Sequence, residues 1–209
     1  KEALGGTCLN WGCIPTKALY ASAELIQNIN NHGDEFGVEV GQLNVNFEKA
    51  VGRKNGVVKE LVDGIEGLQK AWKNDVYKGV GKITGGNANE GYEISIEGED
   101  STTIKAMRIL IATGSSPALI PAFNIDHDRI LTSDDIFDPN FTTVPDKLLV
   151  IGAGVIGCEF ANIFRTFGSE VEMLEYLPNP IATEERLVIR ELTSKFEELG
   201  ITIHTSQNV

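Results

Sequence analysis

Lys147-Leu148-Leu149-Val150-Ile151 runs straight into Gly152-Ala153-Gly154-Val155-Ile156-Gly157, and this junction decides the fold. A short apolar run, then G-x-G-x-x-G, then a helical pattern to Phe167 with Gly168 as its stop, predicts strand, tight turn and helix. Glu170–Glu175 reads as the next strand. A second helix is expected from about Glu184 to Leu199, with Gly200 as C-cap, and Ile201–Thr205 reads as a third strand. Strands alternating with helices predict a parallel sheet. In this setting Gly152 makes the turn, Gly154 lets backbone approach a pyrophosphate, and Gly157 allows close helix–strand packing. The helix N–H groups, from Val155 and Ile156 onward, and the helix dipole would hold the phosphate charge. Glu175 closes the following strand about twenty residues on, where a carboxylate accepts hydrogen bonds from a ribose 2′-OH. It would repel a 2′-phosphate, and Tyr176-Leu177-Pro178 offers no arginine to bind one, so NAD is favoured over NADP. A glycine-rich turn without a ligand is the plainer reading.

A second informative stretch is Gly5-Gly6-Thr7-Cys8-Leu9-Asn10-Trp11-Gly12-Cys13-Ile14-Pro15-Thr16-Lys17. On an ideal helix, residues five apart have Cα atoms roughly 8–9 Å apart, whereas a disulfide needs about 4.4–6.8 Å. A bridge between Cys8 and Cys13 therefore demands a bend, which Gly12 permits, while Pro15 suits the first turn of a helix. Such a bridge would be strained and reducible, and a helix N-terminus is expected to lower the thiolate pKa. A structural disulfide and half of a metal site are the other readings. A metal site would call for Cys-x-x-Cys spacing and a second ligand pair, and the third cysteine, Cys158, stands alone and reads as a small core residue.

The 209 residues carry a formal net charge of −12, which argues against nucleic acid and anionic membrane surfaces as partners. Neither a twenty-residue apolar stretch nor a signal peptide is evident, and three cysteines make no secreted disulfide framework. A reducing cytoplasm, or a mitochondrial matrix if the source is eukaryotic, is expected. Helical spacing predicts helices from Ile14 to about Asn30 and from about Phe47 to Trp72, the latter with Gly52, Gly56, Gly64 and Gly67 available for close packing. Val76–Val80, Gly91–Ile96 and Thr102–Ala106 read as short strands, with Gly85-Gly86-Asn87 as a turn between the first two. Arg108–Ala112 reads as a strand buried on both faces, leading into Thr113-Gly114-Ser115. A proline-rich passage follows and places a domain boundary near residue 144. The chain opens at Lys1 without methionine and closes at Val209 just after a strand, so an internal fragment of a longer protein is expected.

The run from Gly5 to Leu19 resembles the redox-disulfide signature of the flavin-dependent pyridine nucleotide-disulfide oxidoreductases. Leu9, Asn10, Ile14, Pro15, Thr16 and Lys17 most resemble its dihydrolipoyl dehydrogenase branch. The resemblance implies an α/β architecture: a partial Rossmann-like FAD domain over 1–144 and an inserted, partial Rossmann-like NAD domain over 145–209. It implies that Cys8 is the interchange thiol, Cys13 the charge-transfer thiol, and Lys17 a flavin-tuning lysine paired with Glu159. Thr113, Gly114 and Ser115 resemble a flavin fingerprint, and Gly81 matches a position near the FAD adenine. Both could equally be simple turn residues. The implied reaction oxidises protein-bound dihydrolipoamide with NAD+ through the disulfide and FAD. The implied partners are the lipoyl domain of a 2-oxoacid dehydrogenase or glycine cleavage complex and a second copy in a homodimer.

The family pattern has three further parts that this sequence lacks: the upstream flavin-binding βαβ unit, the C-terminal dimerisation domain and its His–Glu base. His32, His127 and His204 do not match that base and read as surface residues. A glutathione- or mercuric-reductase-type flavoenzyme is the nearest alternative. A NAD-binding redox-sensing module without turnover is the alternative of another class.

Overall fold

The computed structural model describes residues 3–208, so Lys1, Glu2 and Val209 lie outside the described residues. In chain order its elements are α1 Gly6–Trp11, α2 Cys13–His32, α3 Phe47–Ala71, β1 Val80–Asn87, β2 Gly91–Glu97, β3 Thr102–Ala106, β4 Lys147–Ile151, α4 Val155–Thr166, β5 Glu170–Leu174, α5 Arg186–Glu198 and β6 Thr202–His204. They form two compact units, one spanning 5–61 and 117–208, the other 62–116 with residues 3 and 4. This packing division is not the division by cofactor at residue 144, because α2 and the first half of α3 belong to the same unit as β4 and α4.

The larger unit is built on the parallel sheet β4-β5-β6. Leu148 lies opposite Val171, Val150 opposite Met173, and Met173 opposite Ile203. Along β5 the pleat buries Val171 and Met173 and leaves Glu170 and Glu172 exposed. The core lies around α4, where Phe160, Ala161, Ile163 and Phe164 are all buried. Phe164 packs against Phe47 of α3 with ring centroids 5.8 Å apart, and against Phe141 at 6.0 Å. Leu19 and Ala23 of α2 and Phe196 of α5 complete the same cluster. Polar ties close its edges. Arg165 donates from Nε to the Leu199 carbonyl at 2.6 Å, and Ser169 Oγ donates to the Pro145 carbonyl at 2.6 Å.

One core group is unexpected. Lys54, on α3, is 1% exposed, and its ammonium donates to the Phe137 carbonyl at 2.7 Å. Burial pushes its pKa down to about 8, opposed by the nearby Asp138 carboxylate.

The smaller unit is the antiparallel sheet β1-β2-β3, and four expectations are corrected there and along α3. Val76–Val80 is not a strand: Asp100 takes both the Lys78 N–H, with its side chain, and the Lys78 carbonyl, with its backbone N–H. The ladder therefore begins at Val80 opposite Glu97. Gly85-Gly86-Asn87 is not the turn but the end of β1, past a bulge between Ile83 and Gly85. The turn lies at 88–90, where Asn87 Oδ1 accepts from the N–H groups of Asn89 and Glu90. Arg108–Ala112 is not a buried strand either. It has no strand partner among the described residues, and Leu110 and Ile111 are 91% and 72% exposed. Last, among the described residues a Cβ at Gly52, Gly56, Gly64 or Gly67 would meet nothing within 4 Å, so none of them packs closely on α3 at these glycines. The α/β class holds.

Two outcomes follow from this packing. A Cβ at Gly157 would collide with the Gly152 carbonyl oxygen and meet Val150 Cγ1 at 3.2 Å. Gly157→Ala is therefore expected to cost about 1–3 kcal/mol in denaturant midpoints of the intact protein. For Lys54 the unfolded state binds more protons than the folded state between about pH 8 and pH 10.5, so stability rises with pH through that window. Lys54→Met should abolish its share of that rise, at most about 3 kcal/mol. Parallel urea titrations at pH 7.5 and 10 check this, and an identical pH slope in the variant would contradict it.

Candidate active site

Gly12 breaks the chain between α1 and α2 with φ −151° and ψ −116°. A Cβ there would press on the Thr7 carbonyl oxygen at 3.2 Å and on Cys8 Cα at 3.3 Å, so the two helices meet as closely as backbone allows. Thr16 holds the bend from the other side, donating both its N–H (3.1 Å) and its hydroxyl (2.7 Å) to the Gly12 carbonyl. The result brings Cys8, within α1, to Cys13, the first residue of α2. Both are exposed free thiols. The expected lowering of the thiolate pKa does not hold for Cys8. A side-chain hydrogen bond with Cys13 holds the Cys8 thiol above its ordinary value, so Cys8 keeps its proton. The backbone N–H groups of Cys13 and Ile14 at the start of α2 do draw the Cys8 thiol down, but the hydrogen bond with the Cys13 side chain outweighs them.

Lys17 lies one helical turn beyond Cys13. Its ammonium pairs with Glu159 Oε1 in the first half of α4, with Lys17 exposed and Glu159 only 25% so. The ion pair joins the helix that begins at Cys13 to the helix that follows the glycine-rich turn.

At that turn Gly152 has φ 100°, a conformation that L side chains rarely adopt. Its N–H donates to the Leu174 carbonyl at 2.7 Å, locking the end of β4 to β5. A Cβ on Gly154 would meet nothing within 4 Å, and no side chain caps α4 at its N-terminus. Val155 and Ile156 are 61% and 60% exposed. The first turn of α4 is thus open, with bare N–H groups available to an anion. Glu175, half-buried, accepts from the Ala153 N–H at 2.6 Å and from the Leu177 N–H at 2.8 Å. The carboxylate is thereby fixed beside the turn with lone pairs to spare for a ribose hydroxyl. These features fit a dinucleotide.

Cys158 is a core residue. It is 6% exposed, and burial first, then the Glu175 and Glu159 charges, push its thiol up to about 11. Gly81, Thr113, Gly114 and Ser115 belong to the smaller unit and are all exposed. Gly81 is in β1, while Gly114 has φ 75° on irregular chain. His127 pairs with Asp135, His204 with Glu172 and His32 with Glu35, all at the surface. The sequence reading missed a polar cluster between α2 and α4. Gln27 Nε2 donates to Asn162 Oδ1 at 2.8 Å and to Thr166 Oγ1 at 2.6 Å. The spacing of Asn162 and Thr166 from Glu159, three and seven residues, was the available signal.

Among the described residues no helix is long and apolar enough to cross a membrane, and no group of three or more His, Cys, Asp or Glu could hold a metal. The chain is 39% identical over 209 residues to a dihydrolipoyl dehydrogenase of Chlamydia pneumoniae, covering all of this chain and 43% of that protein. It is 38% identical to one of Bacillus subtilis, covering 44% of it. The chain therefore spans less than half the length of these relatives. Among solved structures it shares the fold of LpdA from Mycobacterium tuberculosis at TM-score 0.87 and 24% identity, over 98% of this chain and 44% of that one. The HOCl-induced flavoprotein disulfide reductase RclA from Escherichia coli superposes at TM-score 0.77 and 26% identity, over 100% of this chain and 42% of that one. The pyridine nucleotide-disulphide oxidoreductase model matches residues 2–209, and members of that family use FAD and NAD. The chain belongs to the pyridine nucleotide-disulphide oxidoreductase family.

Proposed function

We propose that the protein is a dihydrolipoyl dehydrogenase, oxidising protein-bound dihydrolipoamide with NAD+ through the Cys8–Cys13 disulfide and FAD. The observation that carries this reading is the Lys17–Glu159 ion pair, which couples the thiol-bearing helix directly to the nucleotide-binding helix. In this reading residues 1–144 belong to the FAD domain and 145–209 to the NAD domain. Gly81, Thr113, Gly114 and Ser115 would contact FAD. Gly152, Gly154, Val155, Ile156, Gly157 and Glu175 would hold NAD, with Glu159 at its edge.

Oxidation starts from the disulfide. A substrate thiolate attacks Cys8 Sγ, breaking the Cys8–Cys13 bond and leaving the electron pair on Cys13 as a thiolate. The second substrate thiol then attacks the mixed disulfide, closing the dithiolane ring and releasing Cys8 as the proton-bearing partner of Cys13. The hydrogen bond that holds Cys8 protonated suits this division of labour, because one thiol keeps the proton while the other holds the electron pair. Re-forming the Cys8–Cys13 bond, with loss of the Cys8 proton, would release that electron pair, and the chemistry that FAD would supply when bound is to carry it on to NAD+. The Lys17 ammonium, anchored by Glu159, would stabilise negative charge at the reaction centre. The partners are the lipoyl domain of a 2-oxoacid dehydrogenase or glycine cleavage complex, and a second subunit of the full-length protein in a homodimer. A cytoplasmic or matrix setting suits the thiol chemistry.

Intact protein should show flavin absorbance and lipoamide-dependent NADH oxidation, and absence of both would sink the proposal. Activity with glutathione disulfide or Hg2+ in place of lipoamide would redirect it within the family. Flavin-free NAD binding alone would mark a redox-sensing module. Cys8→Ser and Cys13→Ser should each abolish turnover, and a variant that keeps it would break the relay. Glu175→Ala should lower the NAD+/NADP+ preference in kcat/KM about tenfold or more, by removing a charged hydrogen-bond acceptor. An unchanged preference would remove Glu175 from coenzyme selection.

A further inference from the structure

The cluster between α2 and α4 forms a second tie beside the Lys17–Glu159 pair, and its hydrogen-bond directions are determined. Thr166 spends its hydroxyl hydrogen on the Asn162 carbonyl at 2.8 Å, so toward Gln27 it can only accept. Gln27 must therefore present its NH2, and both hydrogens are used, one on Thr166 Oγ1 and one on Asn162 Oδ1. The cluster is half-buried, at the edge of the dry contact made by Leu19 and Ala23. Low local dielectric strengthens such a network.

The spacing of the two ties gives them a joint effect. Lys17 and Gln27 are ten residues apart on α2, about 15 Å, and Glu159 and Thr166 are seven apart on α4, about 10 Å. The N-terminal tie on one helix meets the N-terminal tie on the other, so the helices run in the same direction. A single tie leaves a pivot. Two ties fix both the register and the angle of one helix on the other. Lys17 is exposed, and an exposed ion pair alone is a weak restraint.

We propose that Gln27 is a positioning residue for the redox pair. By clasping Asn162 and Thr166 it fixes α2 on α4, so that Lys17 stays on Glu159 and the start of α2, with Cys13, stays in place beside the nucleotide helix. The proposal rests on the reading of Cys8 and Cys13 as a redox pair, but it concerns their thiol–disulfide equilibrium and not substrate turnover.

The test is a redox titration of the intact protein in reduced and oxidised dithiothreitol, read by alkylation and mass spectrometry. The pH profile of Cys8 and Cys13 alkylation is measured in parallel. Gln27→Leu and Thr166→Val should each shift the oxidised-to-reduced ratio at fixed buffer by about threefold or more, with a matching shift in the alkylation profile. Thr166→Ser, which keeps the hydroxyl, should stay at the wild-type value. The double variant should shift no further than either single one, since both break the same clasp. In a Glu159→Gln background, Gln27→Leu should add nothing. If Gln27→Leu and Thr166→Val lower the melting temperature while ratio and pH profile stay at wild type, the clasp is merely structural and the proposal falls. If Gln27→Leu does not fold, Thr166→Val against Thr166→Ser decides alone. If the wild-type pair forms no disulfide at any buffer ratio, the redox-pair reading fails first and this inference falls with it.

Discussion

Helix α4 carries two demands that conflict within twelve residues, and the larger unit is arranged around their reconciliation. From Phe160 to Phe164 it must be apolar on most sides, because the sheet, α2 and the start of α3 all press on it. At Val155 and Ile156 it is instead uncovered, and its first N–H groups remain accessible. Gly157 stands between the two regimes. It lets the helix touch the Gly152 carbonyl oxygen, which anchors the buried half against β4 while leaving the first turn bare. A side chain at that position would push the helix off the sheet and spoil both halves together.

The same helix explains how distant parts of the chain come to one place. Lys17 and Glu159 are 142 residues apart in sequence, yet they lie on helices that pack against each other. Apolar contact between α2 and α4 through Leu19 and Ala23 supplies the attraction, and the polar groups along the seam supply the register. Apolar packing alone is tolerant of sliding. Directed hydrogen bonds are not, which is why a seam of this kind can hold a thiol pair in a defined setting.

Much of this was legible in the sequence. The strand–turn–helix around Gly152–Gly157 and the helix starting at Cys13 are local, set by glycine, proline and apolar period, and the boundaries read from them are close to those observed. The meeting of Lys17 with Glu159 came from resemblance, since no local rule links residues 142 apart. What was misread depended on neighbours. Arg108–Ala112 has the composition of a central strand, but a strand needs partners for its backbone, and none of the described residues provides them. Gly85-Gly86-Asn87 has turn composition, yet the side chain of Asn87 caps the residues after it and moves the turn downstream. Lys54 could not be foreseen as a core residue, because only the fold reveals that the Phe137 carbonyl lies within reach to receive it.

Cys158 gives the chain a property that its two partners in number do not share. Buried in α4, with a thiol pushed up to about 11, it is closed to reagents that act through thiolates in the native state. Cys8 and Cys13 are exposed. Among these three cysteines, native alkylation therefore counts two sites when the pair is reduced and none when it is bridged, and the third becomes countable only on unfolding. The stoichiometry of a single labelling reaction thus reports the oxidation state of the pair, and its denatured complement reports whether the core around α4 is folded.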